Sequence, residues 1–326
     1  MTNYILDFKY RQSNSAGSKA KNDIIFFLKE AGFKSIYVPI YRNRVIRGIL
    51  SKVMIKTAFR KISNDKVVFQ YPLYHERISN YILNDLEKKN VKKIVVIHDL
   101  ESLRLNLKEE SAIAHEVSFL NRFDEVISHN DQMTKWLKDN GLVTEVTNLE
   151  IFDYDNPFEG SIKNKEDKIS FAGNLVKSTF LEKLDVNTHF EVMGPNPTNN
   201  YPKNITYKGM FTPEEVPSEL NGKYGLVWDG TSVNTCDGLY GHYMKYNNPH
   251  KTSLYLSTGI PVIIWKKAAI AKFIEENKLG LTIDNLSDID QVLKNISENE
   301  YEIMRNNAQN IALKLKNGFY IKKAIK

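Results

Sequence analysis

The stretch "NNPHKTSLYLSTGIPVII", Asn247 to Ile264, combines the two signals from which the fold class can be predicted. After the turn-forming pair Asn247-Asn248, the next residues are typical of the first turn of an amphipathic helix, and Pro249 lies where helices accept proline. The apolar run at 260–265 then predicts a strand. A helix that leads into an apolar strand is typical of α/β proteins with parallel sheets.

The first turn of this helix contains an unusual pair of residues, His250 and Lys251. A helix N-terminus already carries partial positive charge, so cations at that end are unfavourable. A bound diphosphate would remove the conflict, because the helix N-terminus and the lysine would then both act on one anion. The pair therefore points to a phosphate-binding site at the start of this helix.

Short apolar runs alternate with longer helical patterns along the whole chain, which predicts largely parallel sheets. The predicted strands are 4–8, 35–40, 66–71, 92–100, 124–130 and 144–151 in the first half, and 168–173, 189–194, 204–209, 224–230, 260–265 and 279–283 in the second. A polar, turn-rich stretch at 152–168 separates the two series. We therefore predict two tandem Rossmann-like domains, 1–152 and 153–326, with a cleft between them and a C-terminal helix that packs across both.

The composition excludes several classes of protein. The chain has 326 residues, of which 42% are hydrophobic and 26% charged, and these are ordinary values for globular proteins. No apolar run approaches the ~20 residues that cross a bilayer, and the start lacks the basic and apolar regions of a signal peptide. The single cysteine, Cys236, excludes an internal disulfide and a cysteine-based metal site. We predict a cytoplasmic protein.

The net charge is +6, and basic residues are concentrated in one segment, 42–64, that contains no acidic residue. Apolar residues between the cations predict a basic amphipathic helix. Such a helix either packs on the core with a solvated basic face or attracts anionic lipid or an acidic acceptor. The segment therefore leaves peripheral contact with the inner face of a membrane open.

Two common nucleotide-binding motifs are absent. The sequence has no G-x-G-x-x-G after its first strand and no G-x-x-x-x-G-K-[ST], which argues against a dinucleotide-dependent dehydrogenase and a P-loop NTPase. Asp153 and Asp155 fit the D-x-D pattern of metal–diphosphate binding, but they lie in the predicted linker and the pattern is common by chance. We therefore predict no metal site.

Ligands of open parallel sheets collect beyond the carboxyl ends of the strands, and polar residues follow three strands of the second half. They are Gly173, Asn174, Lys177, Tyr207, Lys208, Gly209, Asp229 and Gly230. Glycine turns let backbone N–H groups approach a phosphate, and Lys177 and Lys251 would neutralise its charge. Taken singly, each glycine also fits a turn or a helix cap, and each lysine fits a solvated side chain. Their convergence at one edge favours the phosphate site.

Two strand ends of the first half carry further candidates. The loop at 13–24 contains Ser15 and Gly17, which either cap the following helix or contact a donor phosphate or acceptor hydroxyl. His98 and Asp99 end the most hydrophobic strand of this half, where either side chain is able to accept a proton from a hydroxyl. Asp99 also fits the N-cap of the next helix, so both roles stay open.

Several segments resemble one enzyme family. They are "IHDLESLR" (97–104), "SFAGN" (170–174), "YGLVWDG" (224–230) and above all "YNNPHKTSLYLSTGIPVII" (246–264). Together with the tandem Rossmann-like domains, they are similar to bacterial glycosyltransferases of the GT-B architecture. The resemblance is to the streptococcal glucosyltransferase 3 group, which extends glycans on serine-rich repeat adhesins, and to the related β-1,6-galactofuranosyltransferases.

The resemblance implies a UDP-sugar donor bound mainly by the C-terminal domain without a required metal, and an acceptor bound by the N-terminal domain. It implies that Lys251 binds the diphosphate, that Lys177 replaces an arginine of some relatives, and that 207–210 contacts the nucleotide. The predicted donor-binding residues are Ser15, Gly17, Gly173, Asn174, Lys177, Tyr207, Lys208, Gly209, Met210, Tyr246, Asn247, Asn248, Pro249, His250, Lys251 and Thr252. The predicted catalytic residues are Asp99 and His98.

The expected function is inverting, metal-independent transfer of a hexose, with UDP-glucose as the favoured donor, to an N-acetylglucosamine-bearing protein or a cell-surface glycan. A galactofuranosyl- or galactosyltransferase of polysaccharide synthesis is the first alternative. A non-catalytic subunit that binds a nucleotide-sugar is the second, and a homo-oligomer is compatible with each of them. We expect no nucleic-acid partner.

Overall fold

The computed structural model describes residues 2–8, 16–38, 53, 55–60, 62–73, 76–105, 109–158 and 166–326. The chain divides into two compact units. The first comprises Met1–His129, Met133–Leu149 and Ile321–Lys326, and the second comprises Asn130–Gln132 and Glu150–Tyr320. Each unit is built around one parallel sheet.

The first half of the chain alternates strands with helices. Its elements are β1 (Tyr4–Phe8), α1 (Ala16–Glu30), β2 (Lys34–Val38), β3 (Lys66–Tyr71), α2 (Glu76–Leu86), β4 (Lys92–Ile97), α3 (Glu101–Arg104), α4 (Glu110–Leu120), β5 (Glu125–Ser128), α5 (Asp131–Asp139) and β6 (Glu145–Asn148). The strands form one parallel sheet in the order β2-β1-β3-β4-β5-β6. The strand order reverses between β1 and β3, which makes that position the topological switch point of this sheet.

The central strands of this sheet are buried on both faces. The side chains from Ile94 to Ile97 in β4 are fully buried, and Val67, Val68 and Phe69 of β3 are buried as well. Parallel strands covered on both faces consist of continuous apolar runs rather than alternating patterns. This burial is the reason that short apolar runs are sufficient to predict these central strands.

The second half contains the second sheet. Its elements are β7 (Glu166–Ala172), β8 (Phe190–Met193), β9 (Ile205–Gly209), α6 (Val216–Glu219), β10 (Gly222–Val227), α7 (Gly238–Tyr243), α8 (His250–Ser257), β11 (Val262–Trp265), α9 (Ala271–Glu276), β12 (Gly280–Ile283), α10 (Ile289–Lys294), α11 (Glu298–Lys316) and α12 (Phe319–Ala324). The order β12-β11-β10-β7-β8-β9, all parallel, is the Rossmann order. Its switch point lies between β7 and β10.

The twelve predicted strands are confirmed, with shifts at their ends. The strand predicted at 224–230, for example, is observed as β10 at Gly222–Val227. It pairs with β7 from Gly222 and with β11 as far as Val227, and Trp228 stays buried beyond the last pair. Buried apolar residues therefore continue past the last hydrogen-bonded pair of β10. For this reason the apolar pattern alone predicts the C-terminal end of the strand too far along the chain.

Helix α8 differs from the amphipathic helix predicted for this stretch. Its residues from Thr252 to Ser257 are all buried, because the helix lies against β10 and β11 and also against α11. A helix packed on several sides has no solvent-facing stripe. It begins at His250, so Pro249 is the N-cap and not a residue of the first turn.

The basic segment 42–64 lies mostly outside the described residues. Within it, residues 53 and 55–59 are helical, with Val53 exposed and Ile55 and Phe59 buried. The described part thus packs an apolar face on the core, which agrees with the first of the two alternatives given for this segment. Among the described residues, no helix is long and apolar enough to cross a membrane. Attraction of an anionic surface by the remaining cations stays a prediction.

His129, directly after β5, gives this sheet a pH-dependent stability. Its Nε2–H donates to the carbonyl of Ile97 at 3.0 Å, and burial lowers the pKa of His129 from 6.5 to about 4. Because the folded-state pKa lies below the unfolded value, the unfolded chain takes up the proton first as the pH falls. Stability is therefore retained above pH 6.5 and lost toward pH 4.

We expect the wild type to lose about 2 kcal/mol more free energy of unfolding between about pH 7 and pH 5 than His129→Gln, which keeps an N–H donor but does not titrate. Urea unfolding at both pH values measures the difference. Equal pH dependence in the two proteins would contradict the buried, neutral state of His129.

Candidate functional site

Lys251, in the first turn of α8, reaches the switch point of the second sheet. Its Nζ donates to the Asp229 carboxylate at 2.7 Å and to the backbone carbonyl of Trp228 at 3.0 Å. Both acceptors directly follow β10. The same Nζ lies 4.7 Å from the ring centroid of Phe171 in β7. The ammonium group therefore lies at the carboxyl ends of the two strands that flank the switch point, which is where open parallel sheets bind ligands.

Glycines bring the backbone of neighbouring strand ends close to this lysine. A Cβ on Gly173, after β7, would lie 3.5 Å from Cδ of Lys251. Gly194, after β8, has φ +141°, and a Cβ there would lie 1.8 Å from the carbonyl oxygen of Gly173. Gly194 N–H donates to the Gly209 carbonyl at 2.9 Å. The ends of β7, β8 and β9 thus meet at one glycine-lined edge, which a side chain at Gly194 would obstruct.

The loop after β7 forms a second part of this edge. Asn174 accepts a hydrogen bond from the backbone of Val176 and so caps the 3₁₀ turn that carries Lys177. The carbonyl of Lys177 accepts from the N–H of Gly230 at 2.9 Å, which joins this loop to the end of β10. Nζ of Lys177 lies 4.4 Å from the centroid of the Tyr240 ring, a cation–π contact. Lys177 and Lys251 are therefore both attached to the same two strand ends.

The turn before α8 is held largely by its own side chains. Asn248 is buried, donates to the carbonyl of Glu150 at 2.9 Å and accepts from Asn130 at 2.7 Å. The ring of His250 packs 4.9 Å from that of Tyr154. These contacts give Asn248 and His250 roles in fixing the turn, in addition to the donor contact predicted for them.

Thr252 lies one residue beyond Lys251 and is fully buried. Its hydroxyl finds no hydrogen-bond partner among the described residues, and neither does the side-chain oxygen of Asn247 in the turn. The first N–H groups of a helix also lack intrahelical acceptors. The start of α8 therefore combines a cation with hydrogen-bonding groups that the described part of the protein leaves unsatisfied.

The next residues predicted to bind the donor belong either to β9 and the residue after it or to the segment that follows β1. Tyr207 donates from its hydroxyl to the Gly194 carbonyl at 2.9 Å, which attaches it to the glycine-lined edge. Lys208 lies 3.8 Å from the Glu191 carboxylate, and the side chain of Met210 is 63% exposed. Ser15 lies outside the described residues. Gly17 is the second residue of α1 and belongs to the first unit, whereas the glycine-lined edge belongs to the second unit.

His98 and Asp99, the predicted catalytic residues, follow β4 in the first unit. Nε2 of His98 is 2.8 Å from the side-chain oxygen of Gln70, and an Asp99 oxygen is 3.8 Å from the guanidinium of Arg104. Burial lowers the pKa of nearby Lys21 to about 8, against the opposing attraction of Asp99 and Glu101. Both candidates therefore stand at the carboxyl edge of the first sheet with polar neighbours that orient them.

Two residues of the site were not among the predicted donor-binding residues. Asp229 belongs to the strand-end residues grouped at the predicted phosphate site, but the sequence does not predict its contact with Lys251, which lies 22 residues away in the chain. Gly194 is predicted only as the last residue of the strand 189–194. The position of each residue at the end of an apolar strand is the sequence signal that indicates a ligand site. The residues that each one contacts depend on the order of the strands in the sheet, and predicting the strands does not give that order.

The described residues contain no group of three His, Cys, Asp or Glu side chains that could hold a metal ion. Asp153 of the D-x-D pattern is buried and accepts a hydrogen bond from the backbone N–H of Tyr320 at 3.1 Å. A cavity of about 530 Å³ is lined by Asp167 and Lys168 at the start of β7 and by Lys223 and Tyr224 at the start of β10. It therefore opens at the amino edge of the second sheet, opposite Lys251, and we do not assign it to this site.

Comparison with known proteins identifies the family. The family model "Glucosyltransferase 3-like, N-terminal domain" matches residues 2–151, and the corresponding C-terminal domain model matches residues 169–326. The β-1,6-galactofuranosyltransferase WbbI of Escherichia coli (strain K12) is 31% identical over 92% of this chain and 95% of its own length. Glucosyltransferase 3 of Streptococcus gordonii is 27% identical over 94% of this chain and 92% of its own length.

Solved structures agree in fold. An α-glucosyltransferase (AGT) in complex with UDP has a TM-score of 0.59 at 12% identity and covers 99% of this chain and 98% of its own. A TarM mutant from S. aureus in complex with fondaparinux, α-GlcNAc-glycerol and UDP has a TM-score of 0.53 at 16% identity, and the match covers 84% of this chain and 58% of TarM. Both halves match the family models and WbbI matches nearly the whole chain, so the protein belongs to the glucosyltransferase 3-like family of glycosyltransferases and has the GT-B fold.

Proposed function

We propose that the protein transfers a hexose, with glucose favoured, from a UDP-sugar to an N-acetylglucosamine-bearing protein or cell-surface glycan. The observation that carries the proposal is the position of Lys251, whose ammonium group lies at the switch point of the second sheet beside the glycine-lined edge. A diphosphate at that point meets a cation and backbone close enough for direct contact. The UDP in the solved α-glucosyltransferase of the same fold supports this choice of donor.

The proposed donor site acts mainly on the leaving group. As the glycosidic bond breaks, negative charge grows on the departing UDP, and groups fixed in advance stabilise that charge most effectively. Lys251, the start of α8 and Lys177 supply positive charge or N–H donors. The buried hydroxyl of Thr252 is a further donor without a partner among the described residues. This set of donors makes a metal ion unnecessary in the proposed mechanism.

The acceptor hydroxyl requires a base when it attacks the anomeric carbon with inversion, and we assign this role to Asp99 or His98. Both follow the buried strand β4, and both side chains have the chemistry to accept a proton. One Asp99 oxygen lies 3.8 Å from the guanidinium of Arg104, a cation that orients the carboxylate. In the proposed mechanism the base takes the proton while the oxygen forms the new glycosidic bond and UDP departs.

Replacing either candidate identifies the base. Asp99→Asn or His98→Ala is expected to lower the transfer rate by about 10²–10⁴-fold, because general base catalysis contributes on this scale. UDP affinity should stay unchanged, since neither residue belongs to the donor site. Glu110→Gln, an exposed carboxylate at the start of α4, is the matched control. Full activity of one variant clears that residue of the role.

A second candidate function is transfer of galactofuranose in polysaccharide synthesis. It is favoured by the 31% identity to the galactofuranosyltransferase WbbI, compared with 27% to glucosyltransferase 3 of S. gordonii. The two functions share the diphosphate site and differ in the sugar and acceptor pockets, so the residues around Lys251 do not separate them.

A donor panel decides between these functions. UDP release is measured with UDP-glucose, UDP-galactose and UDP-galactofuranose, with an N-acetylglucosaminyl peptide and a glycan as acceptors. Fastest release from UDP-glucose, with a β-linked product by NMR if the donor is α-linked, is the expected result. Fastest release from UDP-galactofuranose establishes the second candidate. UDP binding without transfer to any acceptor would contradict both and indicate a non-catalytic nucleotide-sugar-binding subunit.

A further inference from the structure

We propose that Asp229 is a positioning residue of the donor site, which holds the Lys251 ammonium group in place before the donor binds. This inference rests on the proposed function of Lys251. The contact joins Nζ of Lys251 to Oδ1 of Asp229 at 2.7 Å, and the two side chains are only 15% and 17% exposed. The pair is therefore short and mostly shielded from water, unlike the solvated ion pairs on the surface.

The surroundings of Lys251 show why it needs a counter-charge. Its side chain runs past Gly173 and over the ring of Phe171, so little of the stem or the ammonium group contacts solvent. A charged group removed from water without a partner is strongly unfavourable. Asp229 supplies that partner when no diphosphate is bound, and so holds the lysine extended toward the switch point.

The pairing leaves part of the ammonium group available. An ammonium group has three N–H donors. Two of them have acceptors, the Asp229 carboxylate and the Trp228 carbonyl, and the described residues supply no hydrogen-bond acceptor for the third. Lys251 is thus able to donate to a diphosphate oxygen without first breaking its contact with Asp229.

Asp229 is itself fixed from both sides. It follows β10, which is paired with β7 and with β11. On its other side, Gly230 has φ +124° and its N–H donates to the Lys177 carbonyl. A lysine has a flexible four-carbon stem, and ordering it costs side-chain entropy when it binds. Holding Lys251 against a rigid strand end therefore supplies the orientation before the donor arrives, which is how preorganised groups accelerate a reaction.

A purely electrostatic role for Asp229 would have the opposite consequence. A carboxylate beside a diphosphate repels it, so removing the carboxylate would tighten UDP binding and leave or raise the rate. The positioning role requires that removal lowers the rate, and that the loss depends on the presence of Lys251. The two roles therefore differ in the sign of the effect.

A double-mutant cycle tests the proposal with Asp229→Ala, Lys251→Ala and the double variant. Asp229→Ala is expected to lower the transfer rate about 10- to 100-fold, and the same substitution in the Lys251→Ala background about 2-fold or less. Asp229→Asn, whose amide oxygen still accepts the lysine hydrogen bond but carries no counter-charge, should lower the rate about 3- to 5-fold in the wild type and not measurably in the Lys251→Ala background. Thermal unfolding checks that each variant folds, and Asp229→Asn carries the test if Asp229→Ala does not fold.

Equal losses from Asp229→Ala in both backgrounds would overturn the proposal, and so would tighter UDP binding with an unchanged rate. UDP affinity, measured by calorimetry on wild type and Lys251→Ala, separates this failure from failure of the proposed donor site. If those two proteins bind UDP equally well, the assignment of Lys251 is wrong. If Lys251→Ala binds UDP more weakly but the Asp229 effects are additive, only the positioning role is wrong.

Discussion

Replacing Lys251 with alanine is expected to lower the transfer rate by about 10²–10³-fold, as the loss of one preorganised donor at a developing negative charge does in other enzymes. The ammonium group lies at the switch point, and Lys177, the other lysine predicted to neutralise the phosphate, is held over the ring of Tyr240. Steady-state UDP release with a saturating donor measures the effect, and UDP calorimetry gives the loss of affinity.

Two further variants make this result specific. Lys251→Met keeps the apolar stem that packs near Gly173 and Phe171, so an equal loss of rate in this variant attributes the effect to the charge. Lys272→Ala removes an exposed lysine of α9 whose contact is with Glu276, and it should behave as wild type. Near-normal transfer by Lys251→Met with unchanged UDP affinity would refute the donor site.

Gly194→Ala is expected to destabilise the protein by more than about 3 kcal/mol, because a steric clash and backbone strain coincide at this position. A Cβ would lie 1.8 Å from the carbonyl oxygen of Gly173, and the backbone φ of +141° is one that residues with a side chain rarely adopt. Relief requires the ends of β7 and β8 to separate, which removes the glycine-lined edge beside Lys251. Urea unfolding measures the loss of stability.

Gly209→Ala is the matched control for this prediction. Gly209 has φ +110° and accepts the hydrogen bond of Gly194, but a Cβ there would meet no atom within 4 Å. The control therefore isolates the backbone strain, which we expect to cost about 1–2 kcal/mol. A loss at Gly194 no larger than that at Gly209 would show that the strand ends separate easily, contrary to the tight edge inferred from the structure.

The fold was largely predictable because its central strands are buried on both faces. The apolar runs 67–69 and 94–97 are bounded by charged or polar residues, so each run by itself predicts a buried strand. Helix α8 was predicted less well. Its burial on several sides removes the polar stripe that defines an amphipathic helix, and that burial comes from packing against β10, β11 and the distant helix α11.

The candidate site was predictable in part. Lys251 and Gly173 were identified because both lie directly next to strand or helix ends, where ligands of parallel sheets collect. The role of Asn248 in holding its turn was not visible, since its partner Glu150 lies 98 residues away in the chain. Nor did the pattern distinguish Lys208, which lies beside Glu191, from a phosphate-binding lysine.

The sequence by itself determined the elements of this protein, their order and the family, because helix, strand and turn signals depend on residues close together in the chain. Only the tertiary structure decided what meets at the switch point. Placing β7 beside β10 brings Gly173 and Phe171 to the same ammonium group as Asp229. Strand order is set by packing between distant segments, so the ion pair of Lys251 and Asp229 has no local signature that a sequence pattern could contain.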